Sequence, residues 1–182
     1  AHVLGYVGSV TETDLMNPDK KFYRDEVIGK TGLEYQYDDY LRGVPGIKTV
    51  IVDRKEAVTQ QTQSTPAKSG DNLITNLNVK LQATTEKALS QAVMRAKSLG
   101  YHADGGAAVV MDVHSGKILA LASYPTYDLN IFQRGLTQAQ AKDLFGESTG
   151  VPALIRPLQG MYAPASTFKS ISIVAASKAG YN

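Results

Sequence analysis

A chain of 182 residues, 43% hydrophobic and 20% charged, has enough apolar side chains for a folded core and is not disordered over most of its length. Its 19 basic and 17 acidic side chains leave a net charge of +2, which gives no electrostatic footprint for nucleic acid. The absence of Cys excludes a disulfide scaffold, a thiolate zinc site and a Cys nucleophile.

Neither end reads as a natural terminus. The chain opens on Ala1-His2-Val3-Leu4 without an initiator Met and stops at Asn182, just past an apolar helix, so we expect a piece of a longer protein. No apolar run approaches the roughly 20 residues of a membrane span, and no signal peptide opens the chain. In chain order, Val3–Val7 predicts a short strand and Pro18-Asp19-Lys20-Lys21 a loop. Leu33–Leu41, bounded by Gly32 and Gly43, suits a short helix on which Leu33, Tyr37 and Leu41 share a packing face. Asp38 and Asp39 point about 100° apart on that helix and read as solvated surface. Ile47–Asp53 and Ala57–Thr65 predict strands. The turn cluster Ser64–Asn72 marks a domain boundary, or alternatively the loop of a long hairpin.

From Leu81 to Leu99 the apolar spacing becomes helical, with Gly100 as its stop. Ala107–Met111 and Lys117–Ser123 predict adjacent antiparallel strands joined by a turn at Val113-His114-Ser115-Gly116. Leu136–Phe145 reads as a helix with Thr137 at its N-cap, and the chain then loops to Pro164. The last helix, about Ser166 to Ala179, is small and apolar on nearly every side, a pattern that predicts burial. There are no internal repeats.

Chemistry is scarce. His2, His102 and His114 have no second ligand at helical spacing, so no metal site is supported, and no phosphate-binding glycine motif occurs. One candidate remains, the S-x-x-K of Ser166-Thr167-Phe168-Lys169. With 12 Ser and 13 Lys in the chain, roughly one such tetrad is expected by chance, so only context gives it meaning. Pro164 and Ala165 precede it, and an apolar helix begins there. A Lys one turn into a buried helix, at the positive end of the dipole, is disfavoured as ammonium and can accept the proton of a Ser on the same face. Backbone N–H groups at the helix start can face an oxyanion. The spacing fits equally a capping Ser166 with Lys169 reaching solvent.

At these residues the chain resembles a known family. Met161-Tyr162-Ala163-Pro164-Ala165-Ser166-Thr167-Phe168-Lys169 is similar to the first active-site motif of penicillin-binding proteins, usually Y-x-P-G-S-x-F-K. Gly29-Lys30-Thr31-Gly32-Leu33-Glu34, continuing through Tyr37-Asp38 to Leu41-Arg42-Gly43 and Gly46, resembles a segment of the N-terminal module of class B members. Leu81-Gln82 with Glu86, Ala88 and Leu89 resembles the helix opening the transpeptidase domain, and Ala107–Asn130 its first hairpin and following loop. Departures are Ala165 for the usual Gly, Ile155-Arg156-Pro157 for N-R-A, and Asn76-Leu77-Asn78 for T-I-D.

The resemblance implies an α+β fold. Residues 1–72 would form a small mixed, pedestal-like, non-catalytic module, and residues 73–182 the first part of a transpeptidase domain like that of serine β-lactamases, an antiparallel sheet flanked by helices. It implies peptidoglycan D,D-transpeptidation, with Ser166 as nucleophile and Lys169 as general base, and no metal or organic cofactor. The implied partners are D-Ala-D-Ala stem peptides, β-lactams as covalent inhibitors, the C-terminal remainder of the protein and a glycan-polymerising membrane protein. The implied location is the extracytoplasmic face of the bacterial membrane, with an N-terminal anchor outside this chain. The family's S-x-N and K-S/T-G motifs belong well downstream of Lys169, so this stretch alone is expected to be inactive. Ile171, Ile173 and Val174 are expected to be exposed unless the remainder covers them. A β-lactam-hydrolysing or β-lactam-sensing relative, and a scaffold with a degenerate site, are the alternatives.

Overall fold

The computed structural model describes residues 2–18, 20–55 and 57–181, so Asp19 of the expected Pro18–Lys21 loop lies outside them. The described chain is of mixed helix and sheet, with three two-stranded antiparallel sheets and helices between and after them.

The first sheet pairs β1 (Val7–Ser9) with β2 (Val27–Gly29), and α1 (Glu12–Leu15) lies between them, closed by a Thr11/Asp14 capping box. The strand expected at Val3–Val7 thus starts only at its last residue. Gly5 turns the chain at φ +81, a conformation open to glycine, and the Val3 and Leu4 carbonyls instead accept the Leu33 and Glu34 N–H groups at 3.0 and 2.9 Å. Those are orphan donors at the start of α2 (Gly32–Gln36), so the entry segment caps a helix in place of pairing as a strand.

The helix expected over Leu33–Leu41 is two helices, α2 and α3 (Asp38–Leu41), broken at Tyr37. The shared apolar face is not formed: Tyr37 is 42% exposed. The break re-aims Asp38, which is buried, against the expectation of solvated surface, while the Asp39 carboxylate stays in solvent. The Asp38 carboxylate accepts from the Gly29 N–H at 2.8 Å and from Arg42 Nε at 3.1 Å, tying α3 to β2.

β3 (Ile47–Val52) and β4 (Val58–Thr65) form a second hairpin with register shifts after Thr49 and Ile51. From Pro66 to Asn78 the chain forms no helix or strand and is pinned by reciprocal Val44–Lys68 backbone bonds of 2.8 and 2.9 Å. The Ser64–Asn72 cluster is therefore held against the chain that precedes β3.

α4 (Val79–Ser98) starts at Asn78, whose side chain accepts the Leu81 N–H at 3.0 Å, and packs along β6 (Ile118–Tyr124). β5 (Gly106–Met111) pairs with β6, and Asp112 organises the turn by accepting the Ser115 and His114 N–H groups at 2.7 and 3.0 Å. His114 sits in that solvated turn. Gln82 on α4 meets the outer edge of β6: it accepts the Leu121 N–H at 2.8 Å and donates to the Leu121 carbonyl at 3.0 Å. Asn78 donates its N–H to the Leu119 carbonyl at 2.8 Å, so the helix covers an edge that another strand could pair. Val93, Ala120, Ala122 and, from α5 (Gln138–Phe145), Leu144 are the buried apolar residues of this half. Thr137 caps α5 as expected. α6 (Arg156–Gln159) interrupts the expected long loop and packs against β5 and β6; α7 (Lys169–Lys178) closes the described chain.

The N-terminal segment reaches across to the second half. His2 is buried, donates from Nε2 to the Pro152 carbonyl at 2.6 Å and stands edge-on to the Tyr127 ring at 5.0 Å between centroids. Tyr6 stacks on Phe132 with centroids 3.5 Å apart. Burial pushes the His2 pKa below its ordinary value, opposed by the hydrogen bond to Pro152, and burial pushes the Tyr127 phenol up.

Candidate active site

The S-x-x-K tetrad spans two elements. Ser166 lies in a one-turn 3-10 helix, Ala165–Phe168, and Lys169 is the first residue of α7, one turn on. Pro164 cannot donate a backbone hydrogen bond and ends the extended approach; its carbonyl accepts the Thr167 N–H at 3.1 Å and the Thr167 hydroxyl. Ser170 and Ser172 turn their hydroxyls back onto the Thr167 and Phe168 carbonyls at 2.9 and 3.2 Å. Among the described residues the Ser166 hydroxyl and the Lys169 ammonium have no hydrogen-bond or ion-pair partner, and both residues are exposed.

Ala165, immediately before Ser166, has φ +45. An L-residue with a Cβ is strained there, and glycine is not. The left-handed turn is thus present although the residue type that favours it is missing, and it aims the next residue abruptly into the helix.

The burial that the apolar composition of the last helix predicts is not met within residues 2–181, whereas the exposure expected of Ile171, Ile173 and Val174 without the remainder is found. Ile171, Ile173 and Val174 are 59%, 68% and 57% exposed. Lys169 is exposed as well. What stays is position: Lys169 sits at the positive end of the α7 dipole, one turn after Ser166. The triplet Lys30-Thr31-Gly32 spells a K-S/T-G pattern, but it leads from β2 into α2, far from α7 in sequence. Lys30 Nζ lies 2.5 Å from Asp14 there, and this hydrogen bond is the main reason the Asp14 carboxyl is held down at about 2.

The approach to Ser166 is anchored by residues to which sequence reasoning gave no role. Arg156 opens α6 and is buried; its guanidinium donates to the Val151 carbonyl at 3.1 Å and to the Gly150 carbonyl. Its backbone N–H donates to Ser123 Oγ at 3.3 Å, and the Ser123 hydroxyl donates to the Leu154 carbonyl at 3.1 Å. The sequence signal was the Ile155-Arg156-Pro157 stretch, set against the family's N-R-A, with Pro157 a helix-start residue in a segment read as loop. His2 offered no signal beyond its place in an apolar run.

Comparison with known proteins covers both halves of the chain. Residues 1–75 match the family model of the penicillin-binding protein dimerisation domain, and residues 106–182 that of the penicillin-binding protein transpeptidase domain. Peptidoglycan D,D-transpeptidase MrdA of Escherichia coli (strain K12) is 33% identical over 184 residues, covering 98% of this chain and 27% of that protein. Penicillin-binding protein 3 of Bacillus subtilis (strain 168) is 31% identical over 181 residues, covering 99% of this chain and 24% of that protein. The penicillin-binding protein PBP2 from Helicobacter pylori, solved in complex with MreC, superposes with a TM-score of 0.71 at 30% identity, over 93% of this chain and 29% of that one. The chain spans about a quarter of the length of the curated relatives it matches. In both halves of its sequence and in its fold, the chain belongs to the penicillin-binding proteins.

Proposed function

We propose that the protein to which these residues belong is a peptidoglycan D,D-transpeptidase working through a seryl acyl-enzyme. The Ser166 hydroxyl attacks the penultimate D-Ala carbonyl of a stem peptide while Lys169, as neutral amine, takes its proton. The tetrahedral adduct collapses with loss of the terminal D-Ala, which leaves with a proton. An amine of a neighbouring stem peptide then attacks the ester, forming the cross-link and returning the proton to Ser166. β-Lactams acylate the same hydroxyl. Assignment of the base in S-x-x-K enzymes is disputed, and Lys169 is our choice.

One observation carries this reading. The tetrad stands directly after a left-handed residue and at the start of a helix, in a chain that aligns with a D,D-transpeptidase over 98% of its length. In the same reading, residues 1–72 are the pedestal-like module and 73–182 the first part of the transpeptidase domain. The partners are a glycan-polymerising membrane protein and a protein of the MreC kind, after the complex of the Helicobacter pylori relative. The site of action is the extracytoplasmic face of the cell membrane.

The test is fluorescent penicillin applied to the complete protein. Covalent labelling that Ser166→Ala abolishes and Lys169→Ala slows by at least a hundredfold is expected. An unlabelled folded protein overturns the reading, and rapid turnover of the label in place of a long-lived adduct points to a hydrolase.

A further inference from the structure

The guanidinium of Arg156 is buried and holds two carbonyls, Val151 O at 3.1 Å and Gly150 O, with no carboxylate beside it among the described residues. A charge taken out of water without an opposite charge is costly, and an apolar side chain of similar size fills such a space more favourably. What the guanidinium holds is itself strained. Gly150 and Val151 are both left-handed, at φ +73 and +43, and for a β-branched residue that conformation is a genuine outlier. The planar fork of Arg matches two adjacent carbonyls, which the single ammonium of Lys does not.

The space around the fork is also shaped for it. A Cβ at Gly105 would collide with Arg156 Nε and Cζ and with the Tyr124 carbonyl, so the chain entering β5 leaves room for this side chain through a glycine. The strained turn and the nucleophile are joined by a short, supported segment. α6, headed by Arg156, rests on β5 and β6, and a Cβ at Gly160 would collide with the Tyr162 ring and with the Arg156 carbonyl, so the chain leaving α6 passes close to both. The chain then reaches Pro164 and a second left-handed residue, Ala165. Strained backbone persists where surrounding contacts over-determine it, and such sites are often functional.

We infer that Arg156 is a positioning residue for Ser166. By forking onto the Gly150 and Val151 carbonyls it fixes the root of the 156–165 segment, and so the direction from which the nucleophile enters its helix. The inference rests on the acyl-transfer reading of Ser166. It concerns a residue that touches neither substrate nor the reacting atoms.

The experiment is acylation of the complete protein by a fluorescent penicillin, resolved into the dissociation constant of the first complex and the first-order acylation rate. Arg156→Lys is expected to lower the acylation rate at least tenfold with the dissociation constant within twofold, because the seryl oxygen is misplaced while the ligand surface is intact. Adding Val151→Gly, which lets the turn form without the fork, should recover a severalfold part of that loss. Ser123→Ala is a milder probe that frees the backbone N–H of Arg156 and the Leu154 carbonyl but leaves the fork intact, and it should slow acylation about threefold. A role in stability alone reduces the fraction of protein that can be labelled and leaves the acylation rate of that fraction unchanged. An unchanged rate in Arg156→Lys overturns the inference; where that variant does not fold, an unchanged rate in Ser123→Ala overturns it. No labelling of the unsubstituted protein overturns the acyl-transfer reading and this inference with it, whereas normal labelling with unchanged variants overturns this inference alone.

Discussion

The Asp38 carboxylate receives the Gly29 N–H at 2.8 Å on one oxygen and Arg42 Nε at 3.1 Å on the other. Arg42 also reaches Glu26 at 3.1 Å and lies over the Phe22 ring, 4.9 Å from its centroid. One buried acid thus joins β2, α3 and the chain that precedes β2. Asp38→Ala leaves the buried Gly29 N–H and Arg42 Nε without their acceptor, while Arg42 keeps Glu26, and is expected to cost about 2–4 kcal/mol. Chemical denaturation of the complete protein measures this, with Asp39→Ala as the exposed neighbour expected to change stability by less than about 0.5 kcal/mol. Equal effects of the two substitutions contradict the assignment.

That pair also shows what the sequence could not reveal. Local periodicity placed both Asp38 and Asp39 on one helix, and it could not say that the helix breaks at Tyr37 so that Asp38 turns inward to a strand nine residues earlier. α4, the β5–β6 hairpin and the Thr137 cap were legible because their determinants are local: helical spacing, β-branched runs, a capping residue. The composition of α7 made its apolar surface legible, and with it the exposure of Ile171, Ile173 and Val174 where the remainder does not cover them, but not what packs against it. The S-x-x-K tetrad was legible, but the Arg156 fork behind it depends on contacts with carbonyls five and six residues earlier, which follow no repeat.

Ala165 at φ +45 predicts a stabilising substitution next to the nucleophile. The left-handed conformation costs a residue with a Cβ about 1–2 kcal/mol, partly offset for glycine by its freer unfolded chain. Ala165→Gly is therefore expected to raise stability by about 0.5–1 kcal/mol, and Ala165→Val to lower it by at least as much. Thermal unfolding of the complete protein decides the sign. A loss of stability in Ala165→Gly contradicts a strained turn.

His2 makes the contact between the N-terminal segment and the Pro152 turn sensitive to pH. A carbonyl can only accept, so Nε2 carries the proton that bonds Pro152 and the neutral ring leaves Nδ1 bare. Burial lowers the folded pKa below the ordinary 6.5, so below that pH the unfolded chain binds more protons than the folded one. The stability that His2 contributes is therefore complete above about 6.5 and drains as pH falls through the lowered value. His2→Gln, which keeps a donor for Pro152 but does not titrate, is expected to flatten the stability profile just below pH 6.5. Parallel profiles for the two proteins in that window rule the effect out.

Gln82 is the residue on which the packing of α4 against the hairpin turns. Its amide reproduces the two hydrogen bonds that a neighbouring strand would make to Leu121, at 2.8 and 3.0 Å, and its Nε2 also donates to Glu86 at 2.7 Å. This explains chemically why Gln82 and Glu86 belong to one motif. Replacing the amide nitrogen by oxygen in Gln82→Glu sets a carboxylate against the Leu121 carbonyl and the Glu86 carboxylate, with no donor for either. The substitution is nearly isosteric, so the expected loss of about 2–3 kcal/mol reports the lost donor and the new repulsion and not a cavity. At pH low enough to protonate the new carboxyl the donor returns, and much of the loss should be recovered. Gln82→Leu lacks that recovery, and hydrogen exchange at the Leu121 amide, now without its acceptor, is expected to accelerate in Gln82→Leu but not in Gln82→Glu. Unchanged exchange at Leu121 in the leucine variant means that β6 is held by its pairing with β5 and not by the helix.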